Sequence, residues 1–203
     1  QDLYENYAHL TEVHECVPAI LQHFDALAPI MRRLKHSSAT IVRKNSFKTM
    51  LTNLDSSLVF LDSHPDLKDS EKYRIKFKQC LIRACELVSH YLKNLLNQAY
   101  SDINDKLSGS SGIQSSVSRQ PLLYNKFAMT SEEYHSQILE ITSRTYYEEY
   151  DRYFDELNSI LNGCYDQYFQ IRSKLLQPVT SSLVEETNAN DGGKSLVNFI
   201  QDG

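Results

Sequence analysis

The sequence predicts an all-α fold, an elongated bundle of long antiparallel helices. Three observations carry this reading. Apolar residues recur every three or four positions over many turns, the mark of a helix with one buried face. The chain holds only 6 Gly and 5 Pro, too few turn residues for the many short strands of an all-β fold. Its 203 residues suffice for one domain or two small ones with a real core.

The first element is read over 2–35. Its stripe runs through Leu3, Tyr7, Leu10, Val17, Leu21, Phe24, Ala28 and Met31, with coiled-coil spacing. His14 takes the heptad slot between Leu10 and Val17, a polar break that weakens a seam but can fix its register. Pro18 and Pro29 each remove a backbone donor, so the helix is expected to be interrupted. Residues 1–36 therefore form a coiled-coil-like segment whose seam needs a partner. Leu10, Val17, Leu21 and Phe24 are its candidate partner-contact residues. A linker at 36–45 follows.

Residues 44–106 read as a helical hairpin with a long second helix. Phe47, Met50, Leu51, Leu54, Leu58 and Leu61 supply the stripe of the first arm, with Ser46 as its candidate N-cap. Ser63-His64-Pro65-Asp66 should stop it, because the residue before a proline is pushed out of the α region. The second arm opens near Asp69-Ser70-Glu71, where acidic residues meet the positive end of the helix dipole. It continues on Tyr73, Phe77, Cys80, Leu81, Ala84, Val88, Tyr91 and Leu95.

Residues 107–119 are rich in Ser and Gly and read as a flexible loop, mobile and dispensable over 108–118. The remaining 120–203 form the C-terminal helices. A helix over 120–143 is expected to break near Met129-Thr130-Ser131. A last long helix over 146–176 carries two apolar seams, which predicts neighbours on more than one side. One is Tyr146, Tyr150, Tyr153, Leu157, Ile160, Cys164, Tyr168, Ile171 and Leu175; the other is Tyr147, Phe154, Leu161, Tyr165 and Phe169. A second loop at 187–193 precedes the start of a further helix at 194–203. The chain begins at Gln1 without a methionine, which predicts a piece of a longer protein.

No residue set predicts catalysis, a cofactor or a metal. Cys80, Cys85 and His90 come nearest, but five residues on a helix turn the chain by about 140°, so the two sulfurs diverge. A small buried hydrophobe is the expected role of each cysteine. His9 and His14 share that mismatch. Glu148, Glu149, Asp151 and Asp155, or Glu185 and Glu186, read as solvated faces rather than an acid/base pair. No phosphate-binding glycine motif occurs, and Gly163, the one glycine expected inside a helix, suits close packing or a kink. Four cysteines are too sparse for a secreted disulfide scaffold, and no apolar run approaches the roughly 20 residues that span a bilayer.

Charge is uneven. Residues 1–100 carry a net of +2 and residues 101–203 a net of −7, within a total of −5. Arg32, Arg33, Lys35, Arg43, Lys44 and Lys48 precede a second group, Lys68, Lys72, Arg74, Lys76, Lys78 and Arg83. The stretch 32–83 could contact anionic lipid or an acidic helix. The competing reading spreads these cations over different faces, Lys72, Lys76 and Arg83 on one and Arg74 and Lys78 on another. Nucleic acid is excluded as a partner by the acidic balance and by the lack of aromatics interleaved with the bases.

The hairpin also carries a resemblance. Phe60-Leu61-Asp62-Ser63-His64-Pro65, Lys68-Asp69 and Lys76-Phe77-Lys78-Gln79-Cys80-Leu81, within Asn53 to Leu87, are similar to the third-subunit family of the conserved oligomeric Golgi (COG) complex. A looser match covers Glu148 to Leu183, ending in Leu175-Leu176-Gln177-Pro178. The resemblance implies a helical rod of the tethering-complex type, a family that includes the exocyst. It implies a non-catalytic subunit in vesicle tethering and intra-Golgi (retrograde) transport, peripheral on the cytoplasmic face of the Golgi membrane through its complex. The implied partners are the other subunits of that complex, with SNAREs, Rab GTPases and coiled-coil tethers. The alternative is a peripheral membrane-binding module using the basic stretch 32–83.

Overall fold

In a computed structural model the protein is described over residues 2–109, 116–145 and 154–189. Every long element there is an α-helix, and no strand occurs among the described residues. The order is α1 (Asp2–Asp25), α2 (Leu27–Lys35), a short 3₁₀ helix (Ala39–Arg43), α3 (Asn45–Ser63), α4 (Ser70–Gly109), α5 (Ser116–Thr145) and α6 (Phe154–Ala189). Two compact units are distinguished, residues 1–91 with 140–160, and residues 92–139 with 161–203.

The predicted interruption of the first helix falls at Ala26, and its cause is Pro29. A proline clashes with the carbonyl four residues earlier and cannot donate to it, and here that carbonyl belongs to Asp25, the last residue of α1. Pro18 is accommodated within α1. Past the break, α2 buries Leu27, Ile30 and Leu34, while Arg32, Arg33 and Lys35 occupy its last turn, where the dipole favours cations.

In the first unit, the predicted stripe of α3 is buried throughout, with Phe47, Leu51, Leu54, Leu58 and Leu61 essentially sealed from solvent. Lys44 rather than Ser46 is the N-cap of α3, and Ser46 lies one residue inside, its hydroxyl accepting from Arg33 Nη2. The Ser-His-Pro stop holds: α3 ends at Ser63 and His64 leaves the helical region. The turn into α4 is tied by Ser70, whose buried hydroxyl donates to the Leu61 carbonyl at 3.3 Å, one of the unpaired acceptors at the end of α3. Asp69 takes the left-handed conformation (φ 63°), which Asp tolerates better than most residues, and accepts from Lys72 Nζ at 2.7 Å. Lys72 thereby holds the Asp69 carboxyl below its usual range.

Arg144, near the end of α5, is the only buried charged residue among the described ones. It reaches Asp55 of α3 through two bonds, Nε at 3.1 Å and Nη2 at 2.6 Å. Its Nη1 also donates to the Glu140 carbonyl and to Glu140 Oε2. Burial opposes the charged form, but the Asp55 bonds and charge outweigh it and hold the guanidinium above its ordinary value. Lys48–Glu140 (3.8 Å) links the same two helices, and Lys78–Glu156 (2.9 Å) links α4 to α6.

The second unit buries Leu92, Leu96, Ala99 and Ile103 of α4, Tyr134 and Ile138 of α5, and Leu161, Cys164, Ile171 and Leu175 of α6. The Tyr134 hydroxyl donates to the Cys164 carbonyl at 2.9 Å, and burial pushes its phenol above the usual range. The expected break near Met129-Thr130-Ser131 is absent, because α5 runs unbroken to Thr145 with Thr130 on its buried face. Of the predicted loop 107–119, residues 107–109 and 116–119 are helical, and 110–115 lie outside the described residues. Likewise α6 continues past 176 to Ala189 through Pro178, and the predicted helix start at 194–203 lies outside them. So do Tyr146, Tyr147, Tyr150 and Tyr153 of the two expected seams. Leu161 joins the buried face, while Tyr165 and Phe169 remain exposed. Gly163 meets no close neighbour, since a Cβ there would contact nothing within 4 Å.

These placements have three measurable consequences. Asp55→Ala leaves a buried guanidinium with only Glu140, so stability to urea should fall, toward the lower end of the ~3–5 kcal/mol seen when a buried ion pair loses one member. Replacing both Asp55 and Arg144 by Met should recover much of that loss. Gly163→Ala should instead raise stability by about 0.5–1 kcal/mol in thermal unfolding, the backbone-entropy difference in a helix interior with free space.

Candidate functional site

The outer part of α1 leaves an apolar face of the first unit uncovered. Every described residue from Tyr4 to Ala19 is exposed, which is unlike any other helix of that unit. Leu10 is 66%, Val17 44% and Leu21 50% exposed, and Tyr4, Tyr7 and Val13 add to the same region. At 100° per residue, Leu10, Val13, Val17, Leu21 and Phe24 fall within an arc of about 80°, so they form one face. Three of the four residues predicted from the sequence are thus open apolar positions. Phe24 differs: it is half-buried, its ring meeting Tyr73 edge-on at 4.9 Å, so it anchors α1 to α4.

That anchor continues through a feature the sequence did not reveal. The His23 ring stacks on Phe60 at 4.2 Å, and His64 stacks on Phe60 at 4.3 Å. His23 Nδ1 faces the Ser57 hydroxyl at 3.5 Å, and His64 Nδ1 lies 2.8 Å from the Phe60 carbonyl, the distance of a donated bond. Only a fold that brings α1 onto α3 joins these residues, since 37 positions separate His23 from Phe60. Partial burial, then the nearby His64, lowers the His23 pKa below 6.5.

The basic stretch is largely engaged within the chain. Lys72 pairs with Asp69, Arg74 with Glu71 and Asp62, Lys78 with Glu156, and Arg83 with Glu86. Lys72, Lys76 and Arg83 are exposed whereas Arg74 and Lys78 are half-buried, so the cations occupy different faces. Cys80, Cys85 and Cys164 are buried thiols, and burial pushes Cys80 up to about 11, which leaves it protonated. Among the described residues no cluster of His, Cys, Asp and Glu could hold a metal ion, and no helix is long and apolar enough to cross a membrane.

Comparison with known proteins fixes the family. The model of the conserved oligomeric Golgi complex subunit 3 N-terminal region matches residues 1–98, and that of the C-terminal region of the same subunit matches 120–203. The chain belongs to the family of conserved oligomeric Golgi complex subunit 3. The Saccharomyces cerevisiae subunit is 48% identical over 204 residues, covering 99% of this chain and 26% of the relative. The human subunit is 27% identical over 94% of the chain and 22% of its own length, and that of Schizosaccharomyces pombe 25% over 83% and 22%. The chain thus spans about a quarter of the length of these curated relatives. No solved structure matches it. In this chain, the hairpin region that first carried the resemblance has a structural role. Ser70, Asp69 and Arg74 build the α3–α4 turn, and Phe77, Cys80 and Leu81 are core.

The histidine stack predicts a pH response. Because the folded state holds His23 below 6.5, the unfolded chain binds its proton first, and this group's contribution is full above about pH 6.5. It should be lost as pH falls through the lower folded-state value. Urea unfolding of the parent protein between pH 7.5 and 5.5 should show that decline, and His23→Phe should flatten it.

Proposed function

We propose that this chain is the assembly-bearing segment of a non-catalytic tether subunit, acting in vesicle tethering and intra-Golgi retrograde transport. In this reading its working parts are surfaces. The outer face of α1, with Leu10, Val17 and Leu21, joins the helices of sister subunits, and Phe24 holds α1 against the body. The observation that carries the proposal is that face itself: a long helix exposing apolar residues on one arc loses less free energy when another helix covers them. Each such side chain is worth ~1.5–3 kcal/mol on full burial.

The functional context comes from the family. A subunit of this complex would work peripherally at the cytoplasmic face of the Golgi membrane, as part of a helical rod, with SNAREs, Rab GTPases and coiled-coil tethers as outer partners. The segment divides by role into the assembly helix α1, the core helix α2 with the α3–α4 hairpin that supports it, and the C-terminal helices α5 and α6.

Leu10→Asp combined with Leu21→Asp tests the reading, since both side chains are exposed in the folded chain and their change spares its core. Thermal unfolding should stay within a degree or two of the parent, while co-purification of sister subunits should fall at least ~10-fold, given the cost of burying unpaired carboxylates. Retention of every sister subunit by a well-folded variant would move the assembly surface elsewhere.

A further inference from the structure

We propose that the helix docking on α1 comes from a different polypeptide carrying net positive charge, and is not a second copy of this chain. The inference rests on the reading of α1 as the assembly surface and adds the chemistry of its occupant. Residues 1–31 contain five carboxylates (Asp2, Glu5, Glu12, Glu15 and Asp25) and not one Lys or Arg. Glu12, Glu15 and Asp25 are exposed, and none of the three enters an ion pair among the described residues. Elsewhere in this unit Asp62, Asp69, Glu71, Glu86 and Glu156 pair with cations, while Asp66 and Asp155 do not. Among the described residues, Glu12, Glu15 and Asp25 are therefore unanswered by a cation, on a helix whose apolar face is also uncovered.

Helical geometry places these charges where a partner feels them. Asp25 lies about 80° from the centre of the apolar arc, a flanking position. Glu12 and Glu15 lie behind the arc, so about one helix diameter, ~10 Å, separates them from a docked helix. That is close to the Debye length at physiological salt, so their field is attenuated but not erased. Pairing α1 with itself would put ten carboxylates and no Lys or Arg into one helix pair, with Asp25 of each copy flanking the seam and Glu12 and Glu15 on the outer faces. A basic helix would meet the complementary field instead, with faster association and rejection of acidic competitors. The same acidity disfavours an anionic membrane as the occupant of this face.

Two synthetic coiled-coil peptides with identical Leu/Ile seams, one flanked by Lys and one by Glu, make the test. Their binding to the labelled protein is read by fluorescence anisotropy, with self-association followed by sedimentation velocity. The Lys-flanked peptide should bind at least ~10-fold more tightly at about 50 mM salt, with the ratio shrinking toward one near 500 mM. Leu10→Asp with Leu21→Asp should abolish its binding, locating the contact on α1. Equal affinity for both peptides, or tighter binding of the Glu-flanked one, overturns the charge inference while leaving α1 as the assembly surface. So does a concentration-dependent dimer of the parent protein that the same double change dissolves. If neither peptide binds and the double variant still co-purifies with sister subunits, the assembly reading itself fails, and this inference with it.

Discussion

Arg144 imposes the tightest constraint on the first unit. An isolated buried guanidinium is untenable, so the chain must deliver a carboxylate to it, and Asp55 arrives from α3 with two bonds. Once that fork is fixed, the relative placement of α3 and the end of α5 follows. Lys48–Glu140 then adds a weaker link between the same two helices, and Arg144–Glu140 holds the guanidinium within α5. Apolar burial supplies most of the stability, because the stripe from Phe47 to Leu61 is sealed. A stripe of leucines is tolerant of slippage, though, whereas a forked ion pair is not. The ion pair disfavours any packing that would leave the buried Arg144 without its carboxylate.

The hairpin and the first helix divide their labour. The α3–α4 turn is built from local polar bonds, with Ser70 answering an orphan carbonyl of α3 and Asp69 adopting a left-handed conformation beside Lys72. This turn closes the α3–α4 hairpin. On it sits the C-terminal end of α1, held by Phe24 against Tyr73 and by His23 against Phe60. The break at Ala26 separates this anchored helix from α2, which is committed to the core through Leu27, Ile30 and Leu34. The result is a helix fixed at one end and apolar along an open face for most of its length. A tethering subunit needs a surface of that kind if its complex is held together by helices.

Legibility in the sequence followed the range of the interaction. Periodicity gave the buried face of α3, and that of α4 as far as Val88; beyond it Leu92 and Leu96 are buried where the spacing pointed to Tyr91 and Leu95, which are half-buried. The stop at Ser63 came from the steric effect of Pro65 on His64, which acts over one residue. The cap at Ser46 failed for a tertiary reason: its hydroxyl is taken by Arg33, thirteen residues away and on another helix. The expected break at Thr130 failed because packing overrides the modest helix aversion of a threonine. Of the two readings of Gly163, close packing or a kink, the first is absent because the residue faces open space, which no local signal discloses.

The amino-acid sequence by itself therefore determined the helical class, the hairpin with its turn and the subunit family, because each is written in spacing or in contiguous motifs. It also placed Leu10, Val17 and Leu21 on one face of α1. Tertiary structure alone decided that this face is open while the equally apolar stripe of α3 is closed, since hydrophobic periodicity is identical for a core and for an uncovered interface. It alone joined Asp55 to Arg144 across 89 residues and set His23 and His64 on either side of Phe60. A contact between positions far apart leaves no mark in either local sequence. Its energy depends on where the intervening helices bring the two groups.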